Sequence, residues 1–381
     1  MLGREKIEAA LSLQGTPEIA AVICYEGMYI RDCWEQFTHH PWRFQHAPDL
    51  ERQMAWRREV IASLRQDWMV LPTCPSAAER DRLIIEERAA GVYRVDRATR
   101  VSQRLQRARV GGWSENVARS ESRPGIFPET PDEIDALTPL PADFDAALFR
   151  QEGRDALARQ LLAEFGERLF PISHVSAPLW KTYDIWGFEG MMVTVAGHPD
   201  LVERACERLL ARCLNSVRQA AVLGAAGIWI EDCMTDMVSP EAFASLHLPT
   251  LRRLVDEIRA LGMKSIHYFC GNPAGKWDLL LSSGADALAL EEGKKGFEID
   301  IEDVVERVQG RCAVLGNLDA IGVLEQGSEQ KLRTEVTRQI AAGRRNGSRF
   351  IMSISSPVTP ATPVERIQLY CSLVHELGRR S

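Results

Sequence analysis

The chain has 381 residues, 45% of them hydrophobic and 26% charged, with a formal net charge of -7; these proportions exclude the disordered, collagen-like and membrane-embedded classes. A negative total charge repels phosphate backbones and anionic lipid, so neither nucleic acid nor a membrane is expected as a partner. The nine cysteines include no Cys-x-x-Cys pair, the opening Met1-Leu2-Gly3-Arg4-Glu5-Lys6 has no apolar signal core, and no run approaches the ~18 apolar residues of a membrane span. A cytoplasmic protein is expected, with most thiols reduced and buried as small hydrophobes.

In chain order, residues 1–65 read as an N-terminal helical extension broken by a short apolar segment at 20–25. Asp67-Trp68-Met69-Val70-Leu71-Pro72 is strand-like and stopped by proline. Residues 91–96 and 101–105 alternate apolar with polar side chains, as an inserted hairpin would. Residues 114–150, with Pro124, Pro128, Pro131, Pro139 and Pro141, suggest a long surface connection leading to a helix start. From about residue 165, apolar runs at 169–175, 227–230, 264–269, 285–290, 312–318 and 350–354 alternate with helical patterns at 199–223, 240–261, 273–283, 301–309, 328–344 and 363–378. Strand then helix with short loops implies parallel strands joined by right-handed crossovers. With the earlier candidates the strands total about eight, so a (β/α)8 TIM barrel is expected, one domain spanning 1–381 with the barrel at 66–381. No Gly-x-Gly-x-x-Gly opens a helix after a strand, which argues against a dinucleotide fold.

Active sites of such barrels gather at the C-terminal strand ends. Here the runs end in Glu231-Asp232, His267-Tyr268-Phe269-Cys270-Gly271-Asn272, Glu291-Glu292, Gly316-Asn317-Leu318-Asp319 and Ser355-Ser356-Pro357. Imidazole, thiolate and carboxylate form a plausible zinc shell, so His267, Cys270 and Glu292 are the candidate ligands. Residues i and i+3 of an extended strand face opposite ways, so His267 and Cys270 converge only if the strand ends or bulges between them. The competing reading is an inward barrel histidine and a core cysteine. His174 closes an earlier run as a candidate pocket acid or base, and Tyr183 and Trp186 are candidate pocket aromatics against a larger prior for core packing.

His267…Cys270-Gly271-Asn272, Gly284-Ala285-Asp286-Ala287-Leu288, Gly316-Asn317-Leu318-Asp319 and Thr359-Pro360-Ala361-Thr362-Pro363 together resemble the uroporphyrinogen decarboxylase superfamily, over residues 183–378 above all. Ser239-Pro240-Glu241-Ala242-Phe243, with Leu248-Pro249, is similar to its corrinoid- and thiol-directed methyltransferases. The resemblance implies a (β/α)8 barrel and places Asp67 where the decarboxylases carry an acid after an early strand. It also shows departures. Where the decarboxylases grip tetrapyrrole acids with two arginines, this chain has only Arg31 between Glu26 and Asp32. Ser356 falls where those enzymes carry histidine or the zinc methyltransferases cysteine, and His-x-x-Cys replaces His-x-Cys. Zinc held by His267, Cys270 and a glutamate, or no metal and His267 as an acid, both stay open.

The function these readings imply is transfer of a methyl group from a small methylated molecule to a thiol or corrinoid. No Asp-x-His-x-x-Gly segment binds cobalamin, so a corrinoid would arrive on a partner protein. His267, Glu231, Asp232 and Asp67 are the expected catalytic groups, and Tyr183, Trp186, His174, Asn317, Arg31 and Ser356 the substrate contacts. A lyase acting on a small aromatic or pyrrolic acid through Asp67 or Asp232, and a non-catalytic binding barrel, are the rivals. The oligomeric state is open, a dimer included.

Overall fold

The computed structural model describes residues 1–107, 126–293, 296–355 and 357–379. Eight strands form one sheet: β1 (Ala20–Val22), β2 (Trp68–Val70), β6 (Phe170–Ser176), β7 (Gly227–Cys233), β8 (Lys264–Cys270), β9 (Ala287–Leu290), β10 (Ala313–Leu315) and β11 (Phe350–Ser353). A separate antiparallel sheet holds β3 (Leu83–Arg88), β4 (Gly91–Asp96) and β5 (Ser102–Leu105). The large sheet runs in the order β1-β11-β10-β9-β8-β7-β6-β2 with every pairing parallel, and helices fill the crossovers from β6 onward. This is the expected (β/α)8 barrel. Its first strand lies at Ala20–Val22, inside the stretch expected as a helical extension, because three buried apolar residues suffice for a short barrel strand.

β1 and β2 are the two ends of the sheet and share no ladder; one backbone bond and the side chains of Gln66 and Asp67 close the seam between them. The Asp67 backbone N–H donates to Ala21 O at 2.8 Å, and Asp67 Oδ2 accepts from Ala21 N at 2.7 Å. Gln66 Oε1 accepts from Ile23 N at 3.1 Å.

Strand alternation sorts the core into layers. Phe170, Ile172, Trp229, Ile266, Tyr268, Ala287, Ala289, Leu315 and Ile351 pack inside the barrel. Ile228, Ile230, Phe269, Leu288, Leu290 and Met352 face the helices. Trp68 and Trp229 meet edge to face at 5.7 Å as the largest interior side chains, and truncating either costs about 3–5 kcal/mol.

The inserted hairpin appears as β4 and β5, and β3 joins it: Leu83-Ile84-Ile85 followed by Glu86-Glu87-Arg88 lacks the alternation that marks a strand. Residues 114–125 of the expected connection lie outside the described residues. The rest is partly helical, since Thr130 and Glu133 build a capping box before Pro131–Leu137 and Asp145 caps Ala146–Gln151. No described helix is long and apolar enough to cross a membrane.

Candidate active site

Continued to the C-terminal ends of the strands, the alternation that packs the barrel interior also decides what the mouth receives. On β6 it turns His174 and Ser176 inward, on β7 Glu231 and Cys233, on β8 Tyr268 and Cys270. Parallel register sets Ser176 beside Glu231, Glu231 beside Tyr268, and Cys233 beside Cys270. Glu231 Oε1 lies 3.2 Å from His174 Nδ1, and its Oε2 accepts from Ser176 Oγ at 3.0 Å. Burial opposes ionisation of Glu231, but hydrogen bonding and charge from His174 outweigh it and hold the carboxyl below its ordinary range. Glu231 is therefore an anion at neutral pH, and it orients the imidazole through Nδ1. His174 Nε2 is buried without a hydrogen-bond partner.

Tyr25 follows β1 in the left-handed region, at φ 53°, which a non-glycine residue adopts only under local constraint. That conformation inserts its ring among His174, Trp229 and Tyr268, with centroids at 5.7, 5.9 and 5.6 Å. Its hydroxyl accepts from Trp229 Nε1 at 3.3 Å. Burial, reinforced by Cys233 and Glu231, pushes the Tyr25 pKa far above its ordinary value, so the phenol stays protonated. Tyr268 donates to Ser355 O at 3.1 Å, and Glu291 is the acid that approaches it.

Beside this cluster a cavity of about 440 Å³ runs along the unladdered seam. Met28, Trp56 and Trp68 give it an apolar wall, and Glu26, Arg57 and His174 supply polar groups. Arg57 stacks on Trp56 at 4.0 Å, and burial pulls its pKa down to about 9, which leaves it a cation at neutral pH. Burial raises the Glu26 pKa, and its Oε2 has no hydrogen-bond partner.

The remaining expected residues fall elsewhere. β8 runs through Cys270 without a bulge, so His267 turns outward while Cys270 faces the mouth. Glu292, buried beyond β9, does not gather with them: no cluster of ligating atoms among the described residues combines His267, Cys270 and Glu292. This trio does not fit a shared zinc ion. Instead His267 Nε2 lies 2.8 Å from Asp232 Oδ2, on the outward side of β7, and His247 Nε2 lies 2.8 Å from the same oxygen. All three are fully buried. Burial works against the Asp232 carboxylate, but His247 and His267 override it and hold its pKa far below the usual range.

Asp67 sits before β2, at the end of the barrel opposite the mouth, where it accepts from His375 Nε2 at 2.8 Å and pairs with Lys6 at 3.5 Å. It is a seam closure, so the acid expected after an early strand is not at the mouth. Arg31 is held by Asp32 through two contacts of 2.8 and 3.0 Å. Tyr183 donates to Met234 O at 2.8 Å and packs with Trp186 in the outer core, where the core-packing reading prevails. Asn317 Nδ2 donates to Ile299 O at 2.7 Å and Glu291 O at 3.3 Å, fixing the loop that carries Glu291. Ser356 lies outside the described residues.

His247, Tyr25, Glu26 and Arg57 were not anticipated. Tyr25 and Glu26 directly follow an apolar run, the signature of a strand's C-terminal end. His247 lies in a π-helical turn, Phe243–His247, which helical periodicity does not reveal.

The family model for uroporphyrinogen decarboxylase (URO-D) matches residues 126–377, the greater part of the chain. The chain belongs to the uroporphyrinogen decarboxylase family. The uroporphyrinogen decarboxylase of Carboxydothermus hydrogenoformans is 26% identical over 159 residues, 42% of this chain and 43% of the relative. That of Roseiflexus sp. is 27% identical over 182 residues, 47% and 50%. The chain thus spans about half the length of these curated relatives. A methyltransferase from Methanosarcina mazei shares the fold, with a TM-score of 0.66 over 99% of both chains at 15% identity. The uroporphyrinogen decarboxylase family is a family of enzymes, and in this member the barrel mouth gathers His174, Glu231 and Tyr25.

Proposed function

We propose that this chain is a demethylase-type methyltransferase, moving a methyl group from a small, largely apolar methylated molecule to a thiol or to a corrinoid carried by a partner protein. The observation that carries this reading is the mouth itself: a cavity of about 440 Å³ with an apolar wall, one cation and an imidazole–carboxylate pair. A polyacidic tetrapyrrole needs several cations, whereas Arg31 is engaged by Asp32, and Arg57 is the one lysine or arginine among the described residues that lines the cavity.

A methyl group leaves a neutral ether, thioether or amine readily when an acid protonates the heteroatom, or a Lewis acid binds it, as the bond breaks. With Nδ1 bound to Glu231, a protonated His174 offers Nε2–H to the cavity. The methyl–heteroatom bond breaks with its electron pair on the heteroatom, which takes the His174 proton. The methyl carbon bonds to the acceptor sulfur, and the thiol's proton restores His174. A corrinoid would supply a stronger nucleophile for the less activated donors. The rival lyase reading relied on Asp67 or Asp232, which face the seam and the helices.

Incubating the protein with methoxy-, methylthio- and methylamino-arenes plus a thiol, and detecting the methyl thioether by mass spectrometry, tests this. His174→Ala and Glu231→Gln are expected to lower turnover about 10²–10⁴-fold. Carbon dioxide release from pyrrolic acids without methyl transfer, or full activity in both variants, would overturn the proposal.

A further inference from the structure

We propose that Asp232, His247 and His267 form a buried site for one divalent transition-metal ion, zinc by preference, behind the barrel wall and separate from the mouth. One ligating atom from each lies within 4.8 Å of the others, and both imidazole Nε2 atoms point at one carboxylate oxygen at 2.8 Å. Two nitrogens and one oxygen suit zinc, iron(II) or cobalt(II); calcium and magnesium prefer oxygen alone.

A second observation concerns atoms left over. Asp232 Oδ1, His247 Nδ1 and His267 Nδ1 are all buried with no hydrogen-bond partner. Two neutral imidazoles donating to Oδ2 satisfy that oxygen but leave half of a buried carboxylate bare, which is costly. A dication bound by both Nε2 atoms, with each imidazole proton moved to Nδ1, draws on both carboxylate oxygens and more than offsets the carboxylate's negative charge.

The π turn Phe243–His247 supports the same conclusion. Such turns are rare and concentrate at functional sites, and this one ends on the histidine that completes the trio. The ion would tie β7, β8 and the π turn between them together. Glu231 and Cys233, the chain neighbours of Asp232, face the mouth, so the three ligands are positioning residues for it.

Full-length protein from zinc-supplemented cells, or refolded in zinc, is assayed by plasma mass spectrometry and by X-ray absorption at the zinc edge. About one equivalent is expected in the wild type and in a His39→Ala/His40→Ala variant, which removes the surface cluster with Glu59, and at least tenfold less in His247→Gln or His267→Gln. The wild-type spectrum is expected to show nitrogen and oxygen neighbours only, a readout that holds even if those variants fail to fold. Metal-free wild type under both preparations, undiminished zinc in folded His247→Gln, or sulfur scattering near ~2.3 Å, which would put the ion on the mouth thiols, would overturn the site.

Discussion

Asp67 was expected to touch substrate, and the seam geometry gives it another task that Asp67→Asn separates. Its carboxylate, only 8% exposed, accepts from Ala21 N at 2.7 Å and His375 Nε2 at 2.8 Å, with Lys6 Nζ at 3.5 Å. An asparagine presents one acceptor oxygen and turns an NH₂ toward a donor, so at least one charge-assisted bond is lost and another donor is stranded. At about 1.5–3 kcal/mol for each, the cost is about 3–6 kcal/mol. Burial raises the Asp67 pKa, but His375, Lys6 and the Ala21 amide bring it below its ordinary value overall. A depressed carboxyl contributes stability above its unfolded pKa and loses it as pH falls through the folded one. The gap between wild-type and Asp67→Asn urea midpoints is therefore expected to be widest near neutrality and to close below about pH 4. Turnover per folded molecule should stay unchanged, because Asp67 lies at the far end of the barrel. An unshifted midpoint, or inactive protein that is as stable as the wild type, would refute the seam argument.

Two further substitutions probe the mouth's surroundings. Glu26→Gln replaces a buried carboxyl whose pKa burial raises, and such a group penalises the fold above its folded pKa; the variant is expected to unfold later than wild type by an amount of order 1 kcal/mol at pH 8, with the gain fading as pH falls toward the carboxylate range. Equal midpoints at both pH values would count against an ionised, poorly solvated Glu26. Gly271→Ala, in the turn ending β8, meets both a φ of +125° and an added Cβ 2.2 Å from Asp236 Cγ, so a loss of about 2–6 kcal/mol is expected in denaturant titration, and a wild-type midpoint would contradict it.

The barrel was legible because every crossover unit from β6 onward repeats the same change of period, from runs of four to eight apolar residues to amphipathic helices. β1 was less so, because three residues such as Ala20, Ala21 and Val22 carry too little pattern to separate a strand from a buried helix turn. The mouth was half legible. Glu231 and His174 stand at strand ends on the inward parity, whereas His267 and Cys270 are divided by the parity rule itself: an odd separation on an unbulged strand sends two side chains to opposite faces, whatever family spacing they resemble. The same rule, applied one strand earlier, separates Asp232 from Glu231 and sends it to the face His267 occupies. The adjoining residues Glu231 and Asp232 thus serve different sites, the first an open mouth and the second a sealed cluster. What parity does not supply is His247, since its position depends on one residue of extra winding in Phe243–His247, a tertiary outcome that local periodicity leaves unwritten.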